Sequence, residues 1–422
     1  MSEPSIRREV LPNGLRLVTE SMPHVRSVSL GVWLTRGSRH EPEAHTGMAH
    51  FVEHMLFKGT ATRSAEDIAQ QIDSIGGQLD AFTSKEYAGY YIKVLDEHLP
   101  LALDVLTDLV TRPAFAPQEI EREKKVVLEE IKMVEDTPDD LVHELFAERF
   151  WHGHALGRPI LGTAASVSAL DAAALHRYFA EAYVTRNFVV SAVGHIDHAQ
   201  VHDLVAGAFA GAGADGPPID APPPSPVTDI LIRQKDLEQS HVCFGAPGLP
   251  QNHASRYAGF VLNTVLGGSM SSRLFQNVRE KRGLAYAVFS GLSAYRDTGA
   301  LTIYAGCANE AVGELVEVVV EELRRLRREP LGGDELRRAK DHLKGSLMLG
   351  LESTSSRMSH LARQEIYDDR ADSMDEILAG VERVTVDAVQ ALAGSLLSGS
   401  NLGLTVLGNV NGLEVTREQL AM

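Results

Sequence analysis

Hydrophobic and polar positions alternate along Ser27–Leu34, which predicts a strand that ends just before a polar loop. The following stretch, Gly47–Phe57, has helix-forming residues with an apolar face, and Gly59 and Thr60 can end a helix there. Pro117–Val134 opens on proline and acidic residues and carries apolar side chains at helical spacing. The pattern therefore predicts a strand, a short helix and, further on, a longer charged helix.

A similar order of elements occurs twice along the chain: a strand, two helices, two strands and two helices. The first copy begins with Ser27–Leu34 and the second with Ser240–Ala246, which indicates an internal duplication. Residues 212–226, between the copies, are rich in proline and glycine and predict an extended linker. We therefore predict an α+β protein with two domains, 1–211 and 227–422, each a mixed, mostly antiparallel sheet with helices packed on one face.

The first predicted helix contains the motif His-x-x-Glu-His, formed by His50, Glu53 and His54. Residues four apart lie one turn above each other on a helix, so both imidazoles share a face. Two neutral imidazoles in that position can hold one Zn²⁺. Glu53 is rotated by about 100° from His54 and is better placed to reach a water molecule than to bind the metal. This is the inverted order of the His-Glu-x-x-His motif of zinc peptidases.

A catalytic zinc ion usually has three protein ligands, so one ligand has to come from elsewhere. Glu123 and Glu130 lie seven apart on the longer predicted helix and project from nearly the same face. One of them can bind the metal and the other can orient a ligand. The helix is crowded with charged residues, however, and most residues of this kind form a solvated face. Spacing alone leaves the third ligand open.

The motif and its surroundings resemble the pitrilysin-type zinc peptidases, in the branch of the mitochondrial processing peptidase and its bacterial relatives. The resemblance is carried by the run from Gly47 to Thr60 and by a Glu 76 residues after the second His, since 54 plus 76 is 130. It implies that His50, His54 and Glu130 bind one zinc ion per chain. It also implies that Glu53 is the general base and that Glu123 supports a ligand.

Two further blocks match the same family. In the run from Ser272 to Tyr286, Arg279 and Tyr286 have the spacing of an Arg and a Tyr that close over the substrate in active members. A tyrosine hydroxyl can donate to a developing oxyanion, and an arginine can hold a peptide carbonyl. Charged helices followed by a strand aromatic are also common without such a role. The resemblance further implies two homologous domains that face each other as a clamshell.

The second block is Gly76–Ser84, which corresponds to an edge strand that pairs with the substrate backbone in the family. The residues that the resemblance assigns to substrate binding are Ala81, Phe82, Thr83 and Ser84. The family usually has asparagine where this chain has Asp80, so a carboxylate at this position is expected to alter contacts with the substrate.

The composition of the chain is consistent with an enzyme that binds neither nucleic acid nor membranes. The net charge of −17, from 40 basic and 57 acidic residues, disfavours nucleic acid as a partner. Apolar runs are too short to span a bilayer, and no cleavable signal is visible at the first residues. Cys243 and Cys307 are too few for a disulfide scaffold, which fits a reducing compartment. These features favour a cytoplasmic location.

The sequence thus predicts a zinc-dependent endopeptidase that hydrolyses unstructured peptides enclosed between two domains. Because Arg279 and Tyr286 are both present in the chain, we expect a self-sufficient homodimer. Two other classes are weighed against this hypothesis. One is a non-catalytic assembly protein with the same fold, which the intact motif disfavours. The other is a subunit that works only with an inactive partner.

Overall fold

The computed structural model of the protein describes residues 6–213, 215–217, 223–368, 372–398 and 402–422. Within these residues the strands are β1 Ile6–Val10, β2 Arg16–Ser21, β3 Ser27–Leu34, β4 Gln78–Thr83, β5 Ala88–Leu95, β6 Phe188–Gly194, β7 Ile230–Gln234, β8 Gln239–Gly248, β9 Ala285–Ala294, β10 Gly299–Ala308 and β11 Gly403–Gly408. The helices are α1 Met48–Leu56, α2 Ala65–Asp73, α3 Leu99–Thr111, α4 Pro117–Asp136, α5 Pro138–Phe150, α6 Ala164–Ala169, α7 Ala172–Ala182, α8 His198–Ala208, α9 Arg256–Leu266, α10 Val312–Arg328, α11 Gly333–Gly350, α12 Thr354–Tyr367, α13 Met374–Glu382 and α14 Val386–Leu396.

The first sheet has six strands in the order β1-β2-β6-β3-β5-β4. All neighbouring pairs are antiparallel except β2 and β6, which run parallel. Strand β3 lies in the middle, with Trp33 paired to Val189 on one side and to Gly89 on the other. Strand β4 is at the end of the order, so one of its edges has no neighbouring strand in the described residues.

The second sheet repeats this topology with five strands in the order β7-β11-β8-β10-β9. Here too a single pair, β7 and β11, is parallel, and the other pairs are antiparallel. Strands β2 to β6 of the first sheet thus correspond in order to β7, β8, β9, β10 and β11 of the second. The repeated order supports the internal duplication, and the mixed, mostly antiparallel character of both sheets is confirmed.

The chain forms two compact units, and each unit combines segments that are distant in sequence. The first contains the described residues of Met1–Lys132, Arg158–Ala221 and Gly350–Ser373, and the second those of Met133–Gly157, Pro222–Leu349 and Met374–Met422. Helix α12, from late in the chain, therefore belongs to the first unit, and helix α5, from early in the chain, belongs to the second. The predicted domains 1–211 and 227–422, which are each continuous in sequence, stay a prediction.

Each sheet is covered by helices on both faces, whereas the sequence predicted helices on one face. In the first unit a large core lies on one side of the sheet, and α12 packs Met358, Leu361 and Ile366 against Trp33 and Val189 on the other. In the second unit, helix α5 covers one face of the sheet. It packs Leu141, Val142, Leu145 and Phe146 against Cys243, Tyr304 and Leu407. The physical reason is visible in β3, which is buried at seven of its eight positions, as is typical of strands covered on both faces. Burial of each large apolar side chain contributes roughly 1.5–3 kcal/mol.

The predicted elements around the motif are confirmed. Strand Ser27–Leu34 has the predicted bounds, helix α1 is one residue shorter at each end than predicted, and α4 runs two residues beyond Val134. The predicted linker, 212–226, lies partly outside the described residues, because 214 and 218–222 are not among them; its described residues form neither helix nor strand. Within the described chain, no helix combines the length and the apolar character needed to cross a bilayer.

Candidate metal centre

Helix α1 places the two histidines of the motif side by side. It begins after Gly47, whose φ of +95° lies in the left-handed region that glycine adopts without strain. The imidazole rings of His50 and His54 lie one turn apart, with their centres separated by 4.5 Å. The apolar face of the same helix, which includes Phe51, Val52 and Met55, is fully buried in the core. Packing of that face fixes the direction in which the histidines project.

Helix α4 contributes the third candidate ligand. An oxygen of Glu130 lies 3.8 Å from Nε2 of His50 and 3.6 Å from Nε2 of His54. One ligand atom from each of the three residues lies within 4.8 Å of the other two, and this is the one such group of His, Cys, Asp or Glu found among the described residues. Three ligands at about 2.0–2.1 Å from a tetrahedral zinc ion are about 3.3 Å apart. The observed separations are a few tenths of an ångström longer, and the set of two nitrogens and one carboxylate suits zinc.

Glu123 lies two turns before Glu130 on the same side of α4, and its side chain contacts His54. Its Oε1 is 2.8 Å from Nδ1 of His54, and its Oε2 is 2.8 Å from the ammonium of Lys58. The side chain of Glu123 is 5% exposed, so these contacts are shielded from water. Since a carboxylate only accepts, Nδ1 of His54 carries the proton and Nε2 presents its lone pair toward Glu130. Glu123 thus sets both the tautomer and the orientation of His54.

Replacing Glu123 by Ala is therefore expected to weaken zinc binding by about 10-fold to 100-fold, the usual cost of removing a group that orients a ligand. A competition titration against a chelator of known affinity measures the change. Glu121→Ala is the matched control, because Glu121 lies on the same helix but its side chain is 70% exposed and pairs with Lys124. Equal zinc affinity in the Glu123 variant and the wild type would contradict the assigned role.

His50 is held in its neutral form. Burial and, to a smaller extent, the neighbouring His54 together lower the pKa of His50 to about 4. Its Nδ1 is buried and makes no hydrogen bond within the described residues, so the ring is oriented by the helix and its packing. A neutral imidazole is the form that binds a metal ion, and at neutral pH no proton competes for His50.

The same pKa makes the stability of the metal-free protein depend on pH. Below pH 6.5 the unfolded chain takes up a proton on His50 that the folded chain does not take up until about pH 4. The free energy of unfolding therefore falls as the pH is lowered through this window, by about 3 kcal/mol in total for this residue. Denaturant unfolding of the metal-free protein at pH 7 and pH 4.5, compared with His50→Gln, measures this contribution. The same pH dependence in both proteins would rule it out.

Glu53, one residue before His54, is half-buried and contacts strand β4. The hydroxyl of Thr83 donates a hydrogen bond of 2.5 Å to Oε2 of Glu53. Burial raises the pKa of Glu53, while the hydrogen bond from Thr83 and the proximity of His54 act in the opposite direction. A carboxylate with a raised pKa beside a metal centre can accept and return a proton near neutral pH.

The start of helix α1 is capped by a residue from the preceding loop. Glu41 is 4% exposed, and its two carboxylate oxygens accept hydrogen bonds from the backbone N–H groups of Gly47 and Ala49 at 2.8 and 2.6 Å. Burial raises the pKa of Glu41 to about 7 against the effect of these two donors. The carboxylate satisfies two N–H groups that a helix start leaves without partners, directly before His50.

The residues predicted to bind the substrate backbone lie at the open edge of the first sheet. Ala81, Phe82 and Thr83 are on β4, and Ser84 follows directly. The carbonyl of Ser84 already accepts from the N–H of Ser38, so the open edge ends near Thr83. The carboxylate of Asp80 accepts from the N–H of Ala81 and from the hydroxyl of Tyr91.

Arg279 and Tyr286 lie together in the second unit. The guanidinium carbon of Arg279 is 4.5 Å from the centre of the Tyr286 ring and 4.8 Å from that of Phe275. The segment Phe275–Glu280 is a π-helix rather than the predicted ordinary helix, a deviation that is frequent at functional sites. Tyr286 is 81% exposed. The role of this pair in catalysis stays a prediction.

Three contacts of the metal centre were not predicted from the sequence. The ion pair of Lys58 with Glu123 and the cap formed by Glu41 join residues from different segments, and no local spacing indicates either. Thr83 was predicted to contact the substrate, but its hydroxyl lies on Glu53. The position of Thr83 in the sequence could have indicated this contact. Alternate residues of a strand share a face, so Thr83 lies on the same face as Ala81, which is the face toward α1.

Comparison with known proteins assigns the chain to a family. Residues 16–164 match the family described as insulinase (peptidase family M16), and residues 169–343 match the peptidase M16 inactive domain. The chain is 45% identical to the uncharacterized zinc protease YmxG of Bacillus subtilis over 93% of this chain and 96% of that protein. It is 42% identical to an uncharacterized zinc protease of Streptomyces coelicolor over 98% of this chain and 92% of that protein. The protein thus belongs to the M16 family of zinc metallopeptidases.

Solved structures show the same fold. A peptidase M16 inactive domain from Pseudomonas fluorescens superposes with a TM-score of 0.91 at 21% identity, covering 98% of this chain and all of that one. A protease from Helicobacter pylori gives 0.89 at 21% identity, covering 96% and 99%. The predicted pitrilysin-type zinc metallopeptidase and its α+β fold are confirmed. The narrower likeness to the processing peptidase stays a prediction.

Proposed function

We propose that this zinc protease is an endopeptidase that hydrolyses unstructured peptides, with Glu53 as the general base. The observation that carries the proposal is the convergence of His50, His54 and Glu130, with Glu53 one residue from a ligand and in contact with an open strand edge. The three residues proposed to bind one zinc ion per chain thus lie next to the candidate base and next to a strand edge that can bind an extended peptide.

Each residue of the centre has a defined task in this proposal. Zinc, when bound, supplies a Lewis acid that polarises the scissile carbonyl and assists the attacking water. Glu53 takes a proton from that water and passes it to the nitrogen of the leaving amine. Glu123, fixed by Lys58, keeps the lone pair of His54 directed at the metal. Removal of the proton and its return to the leaving group thus use the same carboxylate.

Strand β4 supports the preference for unstructured substrates. A peptide adds to a sheet edge through its main chain, which requires an extended segment with free N–H and C=O groups. Residues inside a folded protein have these groups already paired. We propose that Ala81, Phe82, Thr83 and Ser84 line this part of the substrate path, and that Arg279 and Tyr286 act on the same substrate.

The proposal is tested with one protein in two states. A small disulfide-bonded protein with blocked termini is offered in its native form and after reduction and alkylation, with and without a chelator. We expect internal cleavage of the unfolded form alone, abolished by the chelator, with fragments identified by mass spectrometry. Cleavage of the native form at a similar rate would contradict the substrate class, and release of terminal residues only would contradict endopeptidase action.

Assembly is proposed as a homodimer in which each chain is active by itself. Light scattering after size exclusion gives the mass, and peptidase activity is assayed on the same fractions. A dimer of one kind of chain with activity is the expected result. An inactive purified chain that gains activity with a second, different subunit would favour a heterodimer instead.

A further inference from the structure

The hydroxyl of Thr83 contacts the candidate general base. Its hydrogen bond to Oε2 of Glu53 joins α1 to the last residue of β4. Along β4, Leu79 and Ala81 pack against the core that contains α1, and Thr83 shares their face because side chains alternate along a strand. Phe82, on the opposite face, packs instead against Trp33 and Tyr87. The direction of the Thr83 side chain is therefore set by the register of the strand.

The direction of the hydrogen bond between Thr83 and Glu53 follows from the chemistry of the two groups. The hydroxyl of Thr83 donates to the Glu53 carboxylate, and an ionised carboxylate accepts without donating. The hydroxyl proton therefore points to Oε2, and Oε1 is the carboxylate oxygen that Thr83 leaves open to a second donor.

We propose that Thr83 is a positioning residue that holds Glu53 so that the proton from water lands on Oε1. This inference rests on the proposed function of Glu53. During the reaction the water oxygen bonds to the scissile carbonyl carbon as its proton moves to Oε1. That proton then passes to the nitrogen of the leaving amine as the C–N bond breaks, while the hydrogen bond from Thr83 to Oε2 persists. Because Thr83 also ends the strand edge proposed to bind the peptide, the base is fixed relative to the substrate backbone as well as to the metal ligands.

Thr83→Val tests the proposal because valine has the same shape and keeps the backbone of β4 but lacks the donor. We expect kcat to fall by about 10-fold to 100-fold, the effect of losing one hydrogen bond to a charged group, with KM and zinc content unchanged. Thr83→Ser restores the hydroxyl and should regain most of kcat. Thr35→Val is the matched control, since the Thr35 hydroxyl donates to the backbone carbonyl of Asn187 and should leave kcat unchanged.

Three outcomes would overturn the inference. An unchanged kcat in Thr83→Val would show that the hydroxyl has no part in the reaction. A rise in KM alone would show that it binds substrate. A serine variant as slow as the valine variant would show that the hydroxyl is not sufficient to sustain kcat.

Crystal structures give a readout that does not need activity. If the wild type cleaves no peptide, the proposed function fails. Crystal structures of the zinc-loaded wild type and of zinc-loaded Thr83→Val still show whether the hydroxyl of Thr83 holds the side chain of Glu53. A Glu53 side chain that leaves its position in the valine variant supports the inference. The same Glu53 position in both proteins contradicts it.

Discussion

Glu53→Gln is expected to abolish peptide cleavage while the protein still binds one zinc ion per chain. Glutamine has nearly the same size and can accept the hydrogen bond from Thr83 through its amide oxygen, but it cannot take a proton from water. General base catalysis contributes about 100-fold to 10,000-fold, so kcat should fall by that factor. The three candidate ligands are untouched, because Glu53 is not one of them.

Steady-state cleavage of an unstructured quenched peptide, with zinc content measured on the same preparation, checks this result. Glu43→Gln is the control, since Glu43 is exposed in the loop before α1 and should leave both quantities unchanged. Loss of zinc together with activity would show that the substitution damages the metal site. Retained activity would remove Glu53 as the base.

His54→Ala is expected to remove the zinc ion and, with it, all activity. His54 is one of three candidate ligands and the one held by Glu123, so its loss also leaves Oε1 of a buried carboxylate without its donor, while Oε2 keeps its contact with Lys58. Zinc sites held by four protein ligands bind with about 10–16 kcal/mol, or roughly 2.5–4 kcal/mol per ligand, so zinc affinity should fall by about 70-fold to 900-fold.

Elemental analysis after dialysis against metal-free buffer measures this loss. The control is His24→Ala, because His24 is exposed in the turn after β2. Full zinc content in His54→Ala would place the metal elsewhere. Thermal unfolding of both variants with excess zinc and without it separates loss of the ion from loss of the fold.

Local patterns in the sequence predict much of this centre. The His-x-x-Glu-His motif, a helix with an apolar face and a strand with the observed bounds follow from periodicity and composition. The third ligand does not follow from local pattern, because Glu130 is one of many charged residues on α4. Its assignment came from resemblance to the family, and the structure brings it within 4 Å of both histidines.

Long-range packing was not predictable from single-segment patterns. Helices α5 and α12 each cover a sheet in a unit whose other segments lie far away in the sequence, and no periodicity shows which sheet an amphipathic helix will join. The same reasoning applies to Glu41, whose carboxylate caps α1 from outside the helix. Helix start signals are read from neighbouring residues, and Glu41 precedes Gly47 by six positions.

The most direct test of the account is a titration of zinc into the metal-free protein while cleavage of an unstructured quenched peptide is followed. We predict no cleavage before zinc is added and a linear rise in rate that stops at one zinc ion per chain. The metal-free Glu53→Gln protein, titrated in parallel, should bind the same amount of zinc without cleavage. Full activity in the metal-free protein, or a rise that stops at two zinc ions per chain, would contradict the account.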